Sequence, residues 1–255
     1  MGHVSIIMPA YNCRDYIEDS IRSVLRQTYA NWELIIVDDC STDGTAELIQ
    51  TYSGIDARIR PIYFSENRGT SVARNAAIEL AEGKYLAFLD SDDLWEPDKL
   101  EKQLNFMKEH NAAFTCTSYR KIDENGQALN VVVKALPKAD YWKCLYYGNS
   151  IGNSTAMLNV DLLGKVYCPD IKKRNDFALW LRVLKKGQKV IGIQEVLASY
   201  RVRKSSLSYN KFKLIKYQWQ LYHGIEKLPM YQCLLAFFCL FIRKGCDAIK
   251  ASFKH

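Results

Sequence analysis

The chain holds 255 residues, 48% of them hydrophobic and 25% charged, which is enough to bury one large α/β core with a small appendage and argues against a disordered or fibrous protein. Its eight cysteines form no C-x-x-C pair and no Cys/His spacing suited to zinc, so reduced thiols are expected rather than a disulfide scaffold or a zinc module. The net charge of +7 hides an asymmetry: residues 1–100 carry 9 Lys and Arg against 17 Asp and Glu, and the remainder carries 26 against 11, so an acidic half precedes a basic one that suits anionic material.

Val4–Met8 reads as a buried strand that starts with no signal-peptide layout ahead of it. Pro9 and Asn12 end it, and Ile17, Ile21, Val24 and Leu25 then recur at helical spacing. Glu33–Val37 is a second strand. It opens into the polar loop Asp38-Asp39-Cys40-Ser41-Thr42-Asp43-Gly44 and a helix over Thr45–Tyr52. Ile59–Phe64 is a third strand, followed by the turn Asn67–Thr70 and a helix of small residues, Ser71–Ala81, which Gly83 stops. Tyr85–Leu89 is a fourth strand, completing a βαβ rhythm. A helix runs from Pro97 to about Asn111 with Leu100, Leu104 and Met107 on one face, and strand-like segments follow at Ala113–Arg120 and Ala128–Lys134. Asn175–Lys186 is a helix with Phe177, Leu181 and Leu184 inward, and Val190–Arg201 is a late strand.

The chemistry gathers where strands end, the ligand edge of an open α/β sheet. The fourth strand runs straight into Asp90-Ser91-Asp92-Asp93. Unpaired carboxylates are costly to withdraw from water. Two of them one residue apart share a face of an extended chain, so Asp90 and Asp92 can converge on a hard cation such as Mg²⁺ or Mn²⁺ together with phosphate oxygens. After the first strand, Pro9-Ala10-Tyr11-Asn12 puts an aromatic ring at the same edge, and after the second strand Asp39 offers an acceptor for a base N–H. Each signal is weak alone. Their order at successive strand ends describes a nucleoside-diphosphate site.

These segments resemble the family 2 glycosyltransferases of the inverting GT-A type. The resemblance spans residues 3–208 and rests on residues 4–12, Ser23–Thr28, Leu34–Asp39 with Ser41–Gly44, Asn67–Gly69 with Ala73–Asn75, and Asp90–Asp93. It implies a Rossmann-like α/β/α sandwich over residues 1–208, with a nucleotide-sugar half (1–100) and an acceptor half (101–208), followed by a helical tail over 209–255. It also implies a UDP-sugar donor held by Pro9, Tyr11, Asp39, Arg74, Asp90 and Ser91, and a metal, Mn²⁺ or Mg²⁺, on Asp92 with Asp90. The family's catalytic base stands ahead of a Trp-Leu-Arg pattern, which matches Asp176 before Trp180-Leu181-Arg182; Asn175 replaces the usual acidic neighbour. Inversion needs such a base opposite the leaving UDP. A helix N-terminal carboxylate that only favours the macrodipole is the competing reading for Asp176.

Arg203 stands where the family often has a metal-touching histidine; a guanidinium cannot ligate a metal but can grip a diphosphate, so Arg203 and Lys204 are phosphate-clamp candidates. Asp93, Trp180 and the Lys172-Lys173-Arg174 run are candidate acceptor contacts. The closest resemblance is to bacterial enzymes of O-antigen, lipopolysaccharide and capsule synthesis, which add one hexose or N-acetylhexosamine to a lipid-linked saccharide. The Q-x-x-R-W motif of processive synthases is absent. Met230–Ile242, flanked by Lys227, Arg243 and Lys244, is too short to span a bilayer; it suits a helix at the inner membrane face of a cytoplasmic protein, against a helix packed on the domain or a homodimer contact. A nucleic-acid partner is not expected. The alternatives are another metal-dependent nucleotidyl- or phosphoryl-transfer enzyme, and a non-catalytic sugar-nucleotide-binding subunit.

Overall fold

A computed structural model describes residues 2–149, 151–203 and 211–252. Its centre is one mixed sheet. Strand β1 (Val4–Ala10) is buried along its whole length, because α-helices cover both faces and leave no wet side on which polar residues could alternate. Helix α1 (Arg14–Leu25) leads to β2 (Trp32–Asp38), α2 (Thr45–Ile55) to β3 (Ile59–Tyr63), and α3 (Thr70–Leu80) to β4 (Tyr85–Phe88). All four strands are parallel, with β1 between β2 and β4. Gly83 is required where β4 begins: a Cβ there would lie 2.6 Å from the Ser5 backbone nitrogen.

The second half follows different rules. A short β5 (Leu94–Trp95) and helix α4 (Lys99–Glu109) precede β6 (Phe114–Ile122), β7 (Ala128–Val133), β8 (Lys138–Ala139) and α5 (Tyr141–Tyr147). Then come a 3₁₀ turn over Asn153–Thr155, β9 (Met157–Asn159), α6 (Val160–Leu163), α7 (Asn175–Lys185) and β10 (Val190–Arg201). The strand order is β3-β2-β1-β4-β9-β6-β10-β5, with β9 antiparallel to both neighbours. Three residues of β9 therefore join the two halves into one sheet. Strand β9 and helix α5 are too short to carry a period, and neither is visible in the sequence.

Two apolar layers flank the sheet. One packs α1, α2 and α4 against one face; the other packs α3, α5 and α7 against the opposite face. Trp180 is a keystone of the second layer, fully buried at 0% exposure and edge-on to Phe88 at 5.0 Å. The tail is helical: α8 (Lys211–Trp219) continues as a π-helical stretch over Gln220–Ile225, and α9 runs Met230–Ser252. Leu221, Tyr222, Cys233 and Ala236 sit in the same layer as Trp180. The other side of α9 exposes Tyr231, Leu234, Leu235, Phe238, Phe241 and Ile242. No helix among the described residues is long and apolar enough to cross a membrane. The expected boundary at 208/209 lies outside the described residues.

Candidate functional site

The C-terminal edge of the parallel strands opens into a cleft of about 720 Å³. On one flank stand Pro9 of β1, Tyr11 just after that strand and Asp39 just after β2, with Tyr11 49% exposed. The loops after β1 and β2 are fastened together: Asn12 donates its N–H to Ser41 Oγ at 2.9 Å and accepts from Thr42 N–H through Oδ1 at 2.9 Å. Asp39 is buried and organises the next loop, accepting the backbone N–H groups of Arg68 (2.7 Å) and Gly69 (2.8 Å). A carboxylate has about four lone-pair positions, so Asp39 keeps acceptor capacity at the cleft.

The turn after β4 carries the charge. Asp90 accepts from Asn153 Nδ2 at 2.7 Å and from Arg74 Nη2 at 3.2 Å through the same oxygen. Withdrawal from water pushes its carboxyl up to about 6; Arg74 opposes this, and Asp92 and Asp176 add to it. Asp92 is likewise raised by burial and opposed by Arg203, whose Nε lies 2.8 Å from Asp92 Oδ2. Ser91 lines the cleft between them.

Arg74 is the internal brace of the site. It is 2% exposed, donates to Asn175 Oδ1 at 2.5 Å and ion-pairs with Asp90. The unusual Asn175 is thus explained locally, since a neutral amide oxygen accepts from a buried guanidinium that Asp90 already neutralises. One residue on, in the first turn of α7, Asp176 lines the cleft and accepts from Asn149 Nδ2 at 2.8 Å. Arg174 precedes the helix in a left-handed conformation with φ of 65°.

Two expected acceptor contacts are corrected. Trp180 points into the core, where Phe88 and Phe114 enclose it, because its position on α7 falls on the inward stripe. Asp93 is 1% exposed and works as a latch, accepting from Ser154 Oγ at 2.5 Å and from the Arg201 backbone N–H at 2.9 Å. Burial pushes its carboxyl well up, and Asp92 and Asp90 add to it. Lys204 lies outside the described residues, whereas Lys172, Lys173 and Arg174 do line the cleft. Sequence reasoning missed Asn149, Asn153, Tyr119 and Lys121, which also line it. Only the Asn149–Asn153 polar stretch with Gly152 was a usable signal.

Among the described residues no group of three or more metal-ligating side chains is assembled. The donor set nonetheless suits a hard cation: two carboxylates, both raised by burial, share a cleft large enough for a ligand's phosphates to complete the shell.

Comparison with known proteins places this geometry. The family model described as Glycosyl transferase family 2 matches residues 5–163. TuaG of Bacillus subtilis (strain 168), provisionally named a teichuronic acid biosynthesis glycosyltransferase, is 46% identical over 247 residues, covering 97% of this chain and 96% of its own length. WfgD of Escherichia coli, named a UDP-Glc:alpha-D-GlcNAc-diphosphoundecaprenol beta-1,3-glucosyltransferase, is 38% identical over 228 residues, 89% of this chain and 88% of its own. Among solved structures, the mannosyltransferase PcManGT of Pyrobaculum calidifontis, in complex with GDP-Man and Mn²⁺, superimposes with a TM-score of 0.67 at 18% identity, covering 98% of this chain and 75% of that one.

Proposed function

The chain belongs to glycosyl transferase family 2 and has the GT-A fold, and from that premise we propose that it moves one hexose or N-acetylhexosamine from a UDP-sugar to a hydroxyl of a lipid-linked saccharide, with inversion to a β-linkage, in surface-polysaccharide synthesis. The observation that carries this reading is the convergence of Asp90, Asp92 and Asp176 on one cleft, braced by Arg74 from β4 to α7. The acceptor named for WfgD, a sugar on diphosphoundecaprenol, supports the lipid-linked class.

Tyr11 packs the uracil and Asp39 reads it, with Pro9 shaping the flank. Asp176 takes the proton of the acceptor hydroxyl as that oxygen attacks the anomeric carbon from the face opposite UDP. Asn149 holds one oxygen of Asp176 and fixes the rotamer from which it acts. Arg203 places a guanidinium beside Asp92, where the diphosphate arrives. Mn²⁺ or Mg²⁺ on Asp92 and Asp90 supplies, when bound, positive charge that offsets the charge developing on the leaving diphosphate. The exposed apolar side of α9 and the basic residues beside it hold the enzyme at an anionic membrane surface, where a lipid-linked acceptor is presented.

UDP release from a panel of UDP-sugars with Mn²⁺ or Mg²⁺ tests the proposal. Turnover of one donor by the wild type, abolished by chelator, by Asp92→Ala and by Asp176→Asn, is the expected result. A wild type that binds no UDP compound would overturn it.

A further inference from the structure

The proposed base stands at one end of a helix pair whose other end is closed by the tail. Helix α5 packs on α7, and Asn149, two residues past the end of α5, donates to Asp176 in the first turn of α7. At the opposite end Glu226, its side chain 1% exposed, accepts from the Tyr141 hydroxyl at 2.5 Å and pairs with Lys185 Nζ at 2.7 Å. One tail carboxylate thus ties the first residue of α5 to the last of α7.

Helix α5 has seven residues, well short of the roughly dozen that a helix needs to hold itself in water. Its place is therefore set by what packs on it, and the tail supplies several of those holds. Besides Glu226, the buried Tyr222 donates its hydroxyl to the Leu145 carbonyl at 2.8 Å. Arg243 of α9 donates to the Tyr147 carbonyl and lies over that residue's ring at 3.7 Å. Leu240 of α9 presses on Gly148: a Cβ there would lie 2.5 Å from Leu240 Cδ2, and the backbone φ of 87° also calls for glycine. Gly148 ends α5, and Asn149 follows it directly. On the α7 side, Arg74 holds Asn175 and so fixes the turn that carries Asp176, whereas Asn149 holds the carboxylate itself.

Resting on the glycosyltransferase reading, we infer that Tyr222, Glu226, Leu240 and Arg243 are positioning residues for transfer: the tail clips α5 to α7 and, through Gly148, holds Asn149 against the base. The tail then serves turnover with every substrate, in solution as at a membrane. A helix that was an anchor alone would be dispensable once all substrates are soluble.

The test is UDP release by the full chain, without vesicles or detergent, from the UDP-sugar that the wild type turns over. The variants are Arg243→Gln, Arg243→Lys, Asn149→Ala and the double variant Arg243→Gln/Asn149→Ala. Arg243→Gln should lower kcat about 10-fold, while the donor KM and the UDP Kd stay within about 3-fold. Arg243→Lys should recover part of the loss, since an ammonium can still donate to the Tyr147 carbonyl. Asn149→Ala should cost a similar factor, and the double variant no more than the worse single one, because both changes act on one hydrogen bond. An unchanged kcat in Arg243→Gln would overturn the inference and leave α9 an anchor. Losses that multiply in the double variant, or that appear equally in UDP affinity, would overturn it too, as general damage to the fold. Should the wild type bind UDP yet release none from any donor, amide hydrogen exchange decides: faster exchange over residues 144–149 in Arg243→Gln supports the clip, and unchanged exchange overturns it. Failure of the wild type to bind UDP would instead sink the underlying function.

Discussion

The two halves of the sheet solve different problems. From β1 to β4 every strand is parallel, every crossover is a helix, and the groups proposed to hold the donor sit at strand ends that buried neighbours fix. From β6 onward the strands are mixed in direction, β10 carries register shifts between Ile193 and Ala198, and the cleft residues come mostly from loops. A ligand gripped at strand ends meets a rigid edge, whereas loops on a fixed scaffold can change without disturbing the core.

If that division of labour holds, damage to each half should read differently. Asp176→Asn keeps the shape but removes the carboxylate proposed as the base, so transfer should fall by about 10² to 10⁴ while UDP binding survives. Asp92→Ala, in the donor half, should weaken metal-supported UDP binding by about 10-fold or more as well as transfer. Calorimetry with UDP and Mn²⁺ separates the two, and equal losses of UDP affinity would erase the distinction.

Arg74→Ala attacks the joint. Taking out a buried cation leaves Asp90 and Asn175 without their partner and should cost about 3 kcal/mol of stability, read as a lowered urea midpoint. Arg74→Lys should rescue only part, because one ammonium cannot span both acceptors.

Lys99 gives a pH signature at the start of α4, just past β4 and β5. It is fully buried over the Trp95 ring at 3.8 Å, and burial pushes its ammonium well below the usual lysine range. The unfolded chain therefore binds this proton more readily, and the cost of burying Lys99 grows as pH falls from about 10.5 through the folded value. Lys99→Met should raise the melting midpoint at neutral pH, with the gain shrinking as pH approaches the lysine range. A gain independent of pH would point to packing alone.

The smallest effect on folding belongs to α9. Phe238→Ser with Phe241→Ser should leave stability within about 0.5 kcal/mol per site, since both rings are exposed. Cosedimentation with anionic vesicles should nonetheless drop. Unchanged sedimentation would remove the membrane role from this surface.

Legibility in the sequence follows the same divide. The parallel half announced itself because continuous apolar runs, polar strand ends and glycine stops coincide, and Asp39, Asp90 and Asp92 stand where that pattern put them. Asp176 was marked by the Trp180-Leu181-Arg182 that follows it, yet the same pattern misled over Trp180, whose helical position turns it inward. Asp93 looked like a third site carboxylate because sequence cannot show which member of a turn points back into the protein. Lys121, Asn149 and Asn153 were invisible as a group. Their meeting depends on β9 reversing the chain between β4 and β6, and three residues carry no readable period.

The brace at Arg74 also sets terms for anyone recombining relatives. Its guanidinium leaves the donor half and ends on Asn175, with Cys168 4.0 Å from the same nitrogen, so the seam between donor and acceptor segments runs through side chains and not along a linker. A chimera that imports a foreign acceptor segment with an acidic residue at position 175 would bury an extra negative charge against this pair. Exchange of acceptor preference should therefore be tried with loops, such as 149–153 or 170–173, that stop short of the contact.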